Sequence, residues 1–267
     1  MKKLSIFAVA IAALAFTACG GNKSTQNVEE EQKSFDQTQI EEKIKLEIDS
    51  LAAGVGKLKH LPIVQDGENG LKLTDEEKQV KPDYLLDPAV AENAATLAEK
   101  YRMISALTVD KNIAKLYDMP VDTYEKAIAK LVTEVNDPSF KDMDTNNIYE
   151  TAQTLYDSMN QNGRINYFWQ IVATSLVEQL YITSQNTDKF IGSFTDDAAA
   201  NVTFRLILIQ DALDRLTEYD PEISPVSQAI APLAVLNATT VDELKSQLVD
   251  AKEQIATARN TLVNLTK

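Results

Sequence analysis

Cysteine and histidine are the residue types that most readily supply a nucleophile or a base near neutral pH, and this sequence has one of each, Cys19 and His60. A single histidine excludes sites that need two or more, such as a paired Glu-x-x-His di-iron site or a histidine-rich catalytic zinc site. A serine–histidine pair would have to use His60. That residue lies in the stretch KLKHLPIV, where an exposed or loop-packed histidine is the ordinary interpretation. The chemistry of the chain therefore depends first on Cys19.

Cys19 stands at the end of an apolar run. Two lysines near the N-terminus are followed by residues 4–16, which carry no charge. A helix needs about 20 apolar residues to span a bilayer, so this run is too short for a permanent span and suits the core of an export signal. The small residues Thr17 and Ala18 then lead directly into Cys19.

This order of features resembles the lipobox of bacterial lipoproteins, although Phe16 stands where leucine is usual. The resemblance implies that the signal is cleaved between Ala18 and Cys19 and that Cys19 carries a covalent diacylglycerol and an acyl chain such as palmitate. Two or more chains hold a protein stably at a membrane, at about 0.8 kcal/mol per buried CH₂. The alternative is an ordinary cleaved signal that leaves Cys19 as a free thiol.

The charge balance excludes two classes of partner. The chain has 40 acidic and 26 basic side chains and a formal net charge of −14. Binding to nucleic acid or to an anionic membrane surface relies on lysine and arginine. We therefore expect no nucleic-acid partner, and membrane contact through the lipid anchor alone. Beyond Gly70 only Gly163 and Gly192 remain, so the glycine-rich loops of nucleotide sites are absent there.

The composition also divides the chain into segments. Residues 1–18 form the predicted signal peptide, and residues 19–34, rich in Asn, Gln, Ser and Glu, are typical of a flexible tether. Residues 35–267 form the predicted helical domain. Within it we expect an N-terminal helix and loop arm over residues 35–84 and a helical core over residues 85–267.

Most of this domain shows apolar residues at helical spacing, which predicts an all-α fold, a bundle of about seven to nine helices. The exception is a long irregular segment near residues 53–84, where one short strand pair is expected around Ile63 and Leu71. Residues 165–182 are apolar on nearly all sides, which is typical of a central helix.

The last predicted helix has the most regular pattern. Thr240 and Glu243 form a capping box at its start. The residues that follow form a heptad seam: Val241, Leu244, Leu248, Ala251, Ile255, Ala258, Leu262 and Leu265. This seam packs either inside its own bundle or against a partner chain, and its two small alanines favour close packing within the bundle.

Three stretches carry a second resemblance: PDYLLDPA from Pro82, ALTVDKNIAKLYDMP from Ala106 and LVEQLYITSQ from Leu176. With the lipobox, they look like marks of an uncharacterised family of all-helical lipoproteins from diderm bacteria, over about Pro82 to Leu248. The resemblance implies a compact helical domain behind a lipid anchor. The family has no established activity or catalytic residue, so none is implied for this chain.

No metal or cofactor is expected besides the lipid. Asp142, Asp144 and Asn146 match the first three ligand positions of an EF-hand loop, but Asn147 replaces the glycine of the sixth position and Gln153 the glutamate of the twelfth. Helix initiation explains these residues better. Among the other acids, Glu178, Asp211 and Asp214 lie on apolar helices, where a solvated face is a commoner explanation than a buried cluster.

These observations favour a non-enzymatic, lipid-anchored protein of the cell envelope that binds a protein partner, as an accessory component of an envelope complex. The alternative is a small-molecule-binding lipoprotein with an aromatic pocket near Trp169, lined by Phe168, Tyr101 and Tyr181. Tyrosines at helical spacing are more often core residues. A hydrolase would need two acids that converge in a cleft.

The position after the lipidated cysteine bears on location. Gly20 follows Cys19 where, by resemblance to enteric lipoproteins, an aspartate would favour retention in the inner membrane. The next residues lack the acidic cluster that some bacteria use for surface export. We therefore expect an outer-membrane lipoprotein that faces the periplasm, in preference to a surface-exposed one.

Overall fold

Helices account for all the regular secondary structure in the residues that the structure describes, and the predicted all-α fold is confirmed. The structure is a computed structural model, and it describes residues 42–58, 60–64, 70–140 and 152–264. All of these belong to one compact unit, Glu41–Lys267. The predicted signal, Cys19, the tether and the calcium-like stretch at residues 142–150 lie outside the described residues.

The α-helices follow one another in this order: α1 (residues 42–49), α2 (Ala52–Val55), α3 (Asp75–Gln79), α4 (Leu97–Leu116), α5 (Asp122–Val135), α6 (Ala152–Gln161), α7 (Ile165–Gln185), α8 (Thr187–Phe190), α9 (Asp196–Leu216), α10 (Ser224–Ile230), α11 (Val241–Asp250) and α12 (Lys252–Leu262). Short 3₁₀ helices link them at Pro62–Val64, Pro88–Asn93, Pro138–Phe140, Ile191–Ser193, Pro221–Ile223 and Ala231–Val235. The described residues thus contain more helices than the seven to nine predicted, because short turns such as α2, α3 and α8 carry no full apolar stripe.

Helix α7 is the central helix, as its apolar sequence predicts. It packs against α4, α6, α9 and α12, and almost all of its side chains are buried. Trp169 and Phe168 are fully buried on it and meet edge to face, with ring centroids 5.3 Å apart. In the described part of the chain, no helix combines the length and the apolar character that crossing a membrane requires.

Helix α4, the main neighbour of α7, begins at a capping box that the sequence analysis missed. Thr96 Oγ1 accepts a hydrogen bond from the Glu99 N–H at 3.2 Å, and Glu99 Oε2 accepts one from the Thr96 N–H at 2.9 Å. These bonds satisfy amides that the first helical turn leaves without partners. The preceding Asp87 caps the 3₁₀ helix Pro88–Asn93.

The C-terminal heptad pattern covers two helices, not one. The predicted capping box at Thr240 and Glu243 is confirmed, but α11 ends at Asp250 and α12 begins at Lys252. Neither glycine nor proline marks the break at Ala251, so the spacing could not show it. The described seam residues from Leu244 to Leu262 are buried, and the two helices pack against α7, α8, α9 and α10 of the same chain. The seam is therefore intramolecular.

The irregular segment near residues 53–84 contains helical turns in place of the expected strand pair. Its described residues hold no strand, and one backbone hydrogen bond, from Leu71 N to Pro62 O at 3.0 Å, joins the two regions. Buried Leu61 ties the segment to the central helix, since its N–H donates to Gln179 Oε1 at 2.7 Å. Gly54 allows α2 to approach α9, because a Cβ there would lie 2.8 Å from Leu208 Cδ2.

Candidate functional site

Three of the four residues predicted to line an aromatic pocket belong to the interior. Trp169, Phe168 and Tyr101 are fully buried, and Tyr156 packs edge to face on Phe168 with a centroid distance of 5.2 Å. Tyr181 is half-buried beneath the Arg259 guanidinium, whose carbon lies 4.1 Å from the ring centroid. None of the four predicted residues lines any of the three surface depressions described below.

Tyr101 instead anchors a small polar network beneath the surface. Its hydroxyl donates to the fully buried Asp137 carboxylate and accepts from Arg164 Nη1 at 2.6 Å. Burial raises the pKa of Tyr101, and the bond to Asp137 raises it further. Tyr167 stacks on the ring with a centroid distance of 4.7 Å. These contacts give Tyr101 a structural role in joining α4 to α7.

A buried charge cluster joins the three helices at the centre of the bundle. Asp110 on α4 and Glu178 on α7 are fully buried, and Arg259 on α12 is nearly so. Arg259 Nε lies 3.0 Å and 2.9 Å from the two Glu178 carboxylate oxygens, and Nη2 lies 2.9 Å from Oε1. Arg259 Nη2 also donates to the Tyr84 carbonyl at 3.3 Å. This close geometry is what a buried ion pair needs to offset its desolvation cost.

The surroundings of the second acid of the cluster, Asp110, favour its protonated form. Burial raises the pKa of Asp110 well above its ordinary value, and the neighbouring Glu178 carboxylate raises it further. Asp110 Oδ2 lies 3.9 Å from Arg259 Nη2 and accepts a hydrogen bond from the Leu86 N–H at 2.7 Å. The close pair of the cluster is therefore Glu178 with Arg259, whereas Asp110 lies farther from the guanidinium. The cluster is sealed from solvent, so its paired acids do not form the open cleft that a hydrolase would need.

The sequence analysis considered Glu178, Asp211 and Asp214 together, but the structure separates Glu178 from the other two. Glu178 is buried with Asp110, whereas Asp211 and Asp214 lie on α9, where Arg215 Nε pairs with Asp211 at 3.1 Å. The three stretches that carry the family resemblance converge here: the first supplies the Tyr84 carbonyl and the Leu86 amide, the second Asp110, and the third Glu178 and Tyr181.

Exposed aliphatic residues also lie on the surface of the 3₁₀ helix near the C-terminal end of α10. The 3₁₀ helix Ala231–Val235 buries only Leu233, so its other four residues, Ala231, Pro232, Ala234 and Val235, form an exposed strip that we call the apolar ridge. Val235 is 49% exposed. Contiguous exposed apolar surface of this kind is a common mark of interaction sites.

A depression flanks the ridge on each side. The α9 groove has a volume of about 310 Å³ and is lined by Thr203, Leu206, Ile207, Gln210, Asp211, Asp214, Ile230, Ala231, Ala234, Leu236 and Asn237. The α12 groove has a volume of about 860 Å³ and is lined by Pro225, Gln228, Ala229, Pro232, Val249, Asp250, Lys252, Glu253, Gln254, Thr257 and Thr261. Ile207 at the first is 64% exposed and Val249 at the second is 58% exposed. We call the ridge and its two grooves the docking face.

A third depression, of about 250 Å³, lies between α1, the start of α7 and the end of α9, and does not border the ridge. Within the described ranges, His, Cys, Asp and Glu side chains form no cluster suited to a metal ion. No protein-family model matches this sequence, and neither a curated protein nor a solved structure is detectably similar to it. The family resemblance therefore stays a prediction, and the docking face is judged on its own geometry.

His60 is buried, and its surroundings hold it neutral. Burial lowers the pKa of His60 to about 4, and the positive charge of Arg205 on α9 contributes to the shift. An unfolded chain would protonate this histidine near pH 6.5. Because the unfolded state then binds a proton that the folded state does not, this residue destabilises the fold as the pH falls from about 6.5 to about 4.

Removing the buried cation should be far more damaging than removing an exposed one. We expect Arg259→Met to lower the free energy of unfolding by about 3–5 kcal/mol, because it leaves the Glu178 carboxylate buried without a partner. Arg215→Met, which breaks only surface pairs with Asp211 and Glu47, should cost about 1 kcal/mol or less. Urea denaturation followed by circular dichroism measures both.

Adding Glu178→Gln to the Arg259→Met chain should restore part of the lost stability, since the unpaired charge is then gone. Equal losses for Arg259→Met and Arg215→Met would contradict the assignment of a buried ion pair.

The pH dependence of stability should carry the signature of His60. Between pH 7 and pH 5, we expect the unfolding free energy of the native chain to fall by about 2 kcal/mol more than that of a His60→Gln chain. Carboxylates titrate in both chains, so the difference between them isolates the histidine. Denaturation series at each pH provide the measurement, and a difference that is constant with pH would show that His60 titrates normally.

Proposed function

We propose that this chain is a lipid-anchored, non-enzymatic lipoprotein of the cell envelope that holds a protein partner on its docking face. The observation that carries the proposal is the gathering of exposed aliphatic side chains on one face. Val235 belongs to the apolar ridge, whose exposed residues are all apolar, and Ile207 and Val249 line the grooves beside it. Such residues lose exposed apolar surface when a partner covers them, at about 25 cal/mol per Å².

The interior supports a binding role over an enzymatic one. Asp110, whose pKa burial raises well above its ordinary value, is sealed in the charge cluster. The two grooves of the docking face are open depressions that suit a macromolecule better than an enclosed ligand. In the alternative proposal, a small-molecule pocket near Trp169, the rings of Trp169 and Phe168 are packed against each other, and Tyr101 stacks on Tyr167. The alternative is therefore the weaker proposal.

The predicted anchor and tether give this role a location. A flexible tether over residues 19–34 would have a root-mean-square reach of about 20–24 Å, so the domain could meet a partner near the membrane without inserting into it. The charge of −14 is consistent with contact through lipid alone, since anionic headgroups repel an acidic surface. The outer membrane, with the domain facing the periplasm, remains the proposed location.

The anchor can be tested by removing the lipidated sulfur. We expect Cys19→Ala to move the protein from the membrane fraction to the soluble or signal-retained fraction, and to abolish the mass increase of the acyl groups. A matched control adds Ser24→Cys to that variant, which restores a thiol outside the lipobox and should restore no lipid. Intact-mass spectrometry of fractionated cells gives the answer. A native chain with a bare Cys19 would refute the anchor.

The docking face can be tested by a photo-crosslinking amino acid placed at single positions in living cells. At position 235 we expect a crosslink to one defined protein, because the side chain stands on the apolar ridge. The control position is Val80, which is 73% exposed but follows α3 and lines neither groove. Equal crosslinking at the two positions, or none at position 235, would remove the docking proposal.

A further inference from the structure

We infer that the α12 groove binds an amphipathic α-helix of the partner, with basic residues flanking its apolar stripe. This inference rests on the proposed function and specifies the chemistry of the partner. Three independent properties of the groove carry it: its size, the polarity of its walls and the charge of its rim.

The size of the groove suits a helix. An α-helix is about 10 Å across, and two of its turns are about 11 Å long. The α12 groove has a volume of about 860 Å³. The α9 groove, of about 310 Å³, is too small for the same element and suits a single side chain or a short turn.

The walls of the groove are of mixed polarity, which suits an amphipathic helix, since Gln228 and Gln254 lie beside apolar residues. One wall presents Pro225, Ala229 and Pro232. On the other wall, the Thr257 hydroxyl donates to the Glu253 carbonyl at 2.9 Å and the Thr261 hydroxyl donates to the Thr257 carbonyl at 3.0 Å. Because both hydroxyl protons are used within α12, this wall is less polar than its sequence indicates.

The mode of recognition follows from the same walls. Strand addition needs a sheet edge with free N–H and C=O groups, and the described residues contain no sheet. Helices line both sides of the groove and use their backbone groups internally. An incoming segment must therefore satisfy its own backbone, which a helix does and an extended strand does not.

The charged residues at the rim of the groove favour a partner of opposite charge. Asp250 and Glu253 line it, and neither carboxylate has an ion-pair or hydrogen-bond partner among the described residues. Lys252 is the one cation among the groove-lining residues. Complementary charge on a partner therefore means lysine or arginine, which speeds association and excludes acidic competitors. A second copy of this chain, with its own charge of −14, is a poor occupant for the same reason.

The inference is tested with two synthetic helical peptides that share one leucine stripe and differ only in lysine or glutamate flanks. Each is labelled with fluorescein and titrated with the full chain purified from membranes in detergent micelles, and anisotropy is measured. We expect the lysine peptide to bind at least about tenfold more tightly than the glutamate peptide, with an affinity that falls as salt is added.

Variants locate the binding site. Thr257→Arg, which places a cation in the groove at an exposed position, should abolish binding of the lysine peptide. Asp250→Asn with Glu253→Gln should weaken it by about three- to tenfold. The matched control, Asp75→Asn with Glu76→Gln, removes the same charge from exposed positions on α3 and should leave the affinity unchanged.

Several results would overturn the inference. These are equal binding of the two peptides, binding that survives Thr257→Arg, no binding of either peptide, and self-association of the chain that Thr257→Arg abolishes. If the peptides fail while the position-235 crosslink persists, the partner chemistry is wrong and the docking role stands. If the crosslink is also absent, the proposed function fails with it.

Discussion

The ion pair between Glu178 and Arg259 is the interaction on which the described bundle depends. A buried carboxylate in the middle of the central helix is costly unless a cation meets it with good geometry, so α7 can occupy the centre only when α12 lies against it. Helix α12 presents one face to the core and another to the α12 groove. Arg259 points into the core, while Thr257 and Thr261 line the outer groove. The position of the docking face therefore follows from an interaction in the interior.

The fold could be predicted where the pattern is local. The apolar sequence of α7 indicated its central position, and Thr240 with Glu243 indicated the start of α11. The break at Ala251 has no local signal, since the seam spacing continues through it. The expected strand pair at Ile63 and Leu71 was wrong because a short apolar run bounded by turn residues has no period that separates a strand from a helical turn.

The candidate site was harder to predict because it is made by contacts between distant segments. Glu178 was visible as an acid on an apolar helix, but its partner Arg259 stands 81 positions later, beside a regular seam where a charged residue is ordinary. In the sequence, the ridge is only a proline-interrupted apolar stretch around Pro232. Its exposure depends on how α9, α10 and α12 pack, which composition does not determine. Aromatic spacing alone could not separate a pocket from the core that Trp169 occupies.

Trp169 has a further consequence. It is the only tryptophan in the sequence, and it lies fully buried with the rings of Tyr156 and Phe168 at centroid distances of 6.3 Å and 5.3 Å. Indole emission from this protein therefore arises at one buried location, and Trp169 lines neither groove. A shift of that emission to longer wavelength reports loosening of the interior. Binding of a partner at the docking face leaves the emission wavelength unchanged. The protein thus carries an intrinsic optical probe that separates unfolding from association.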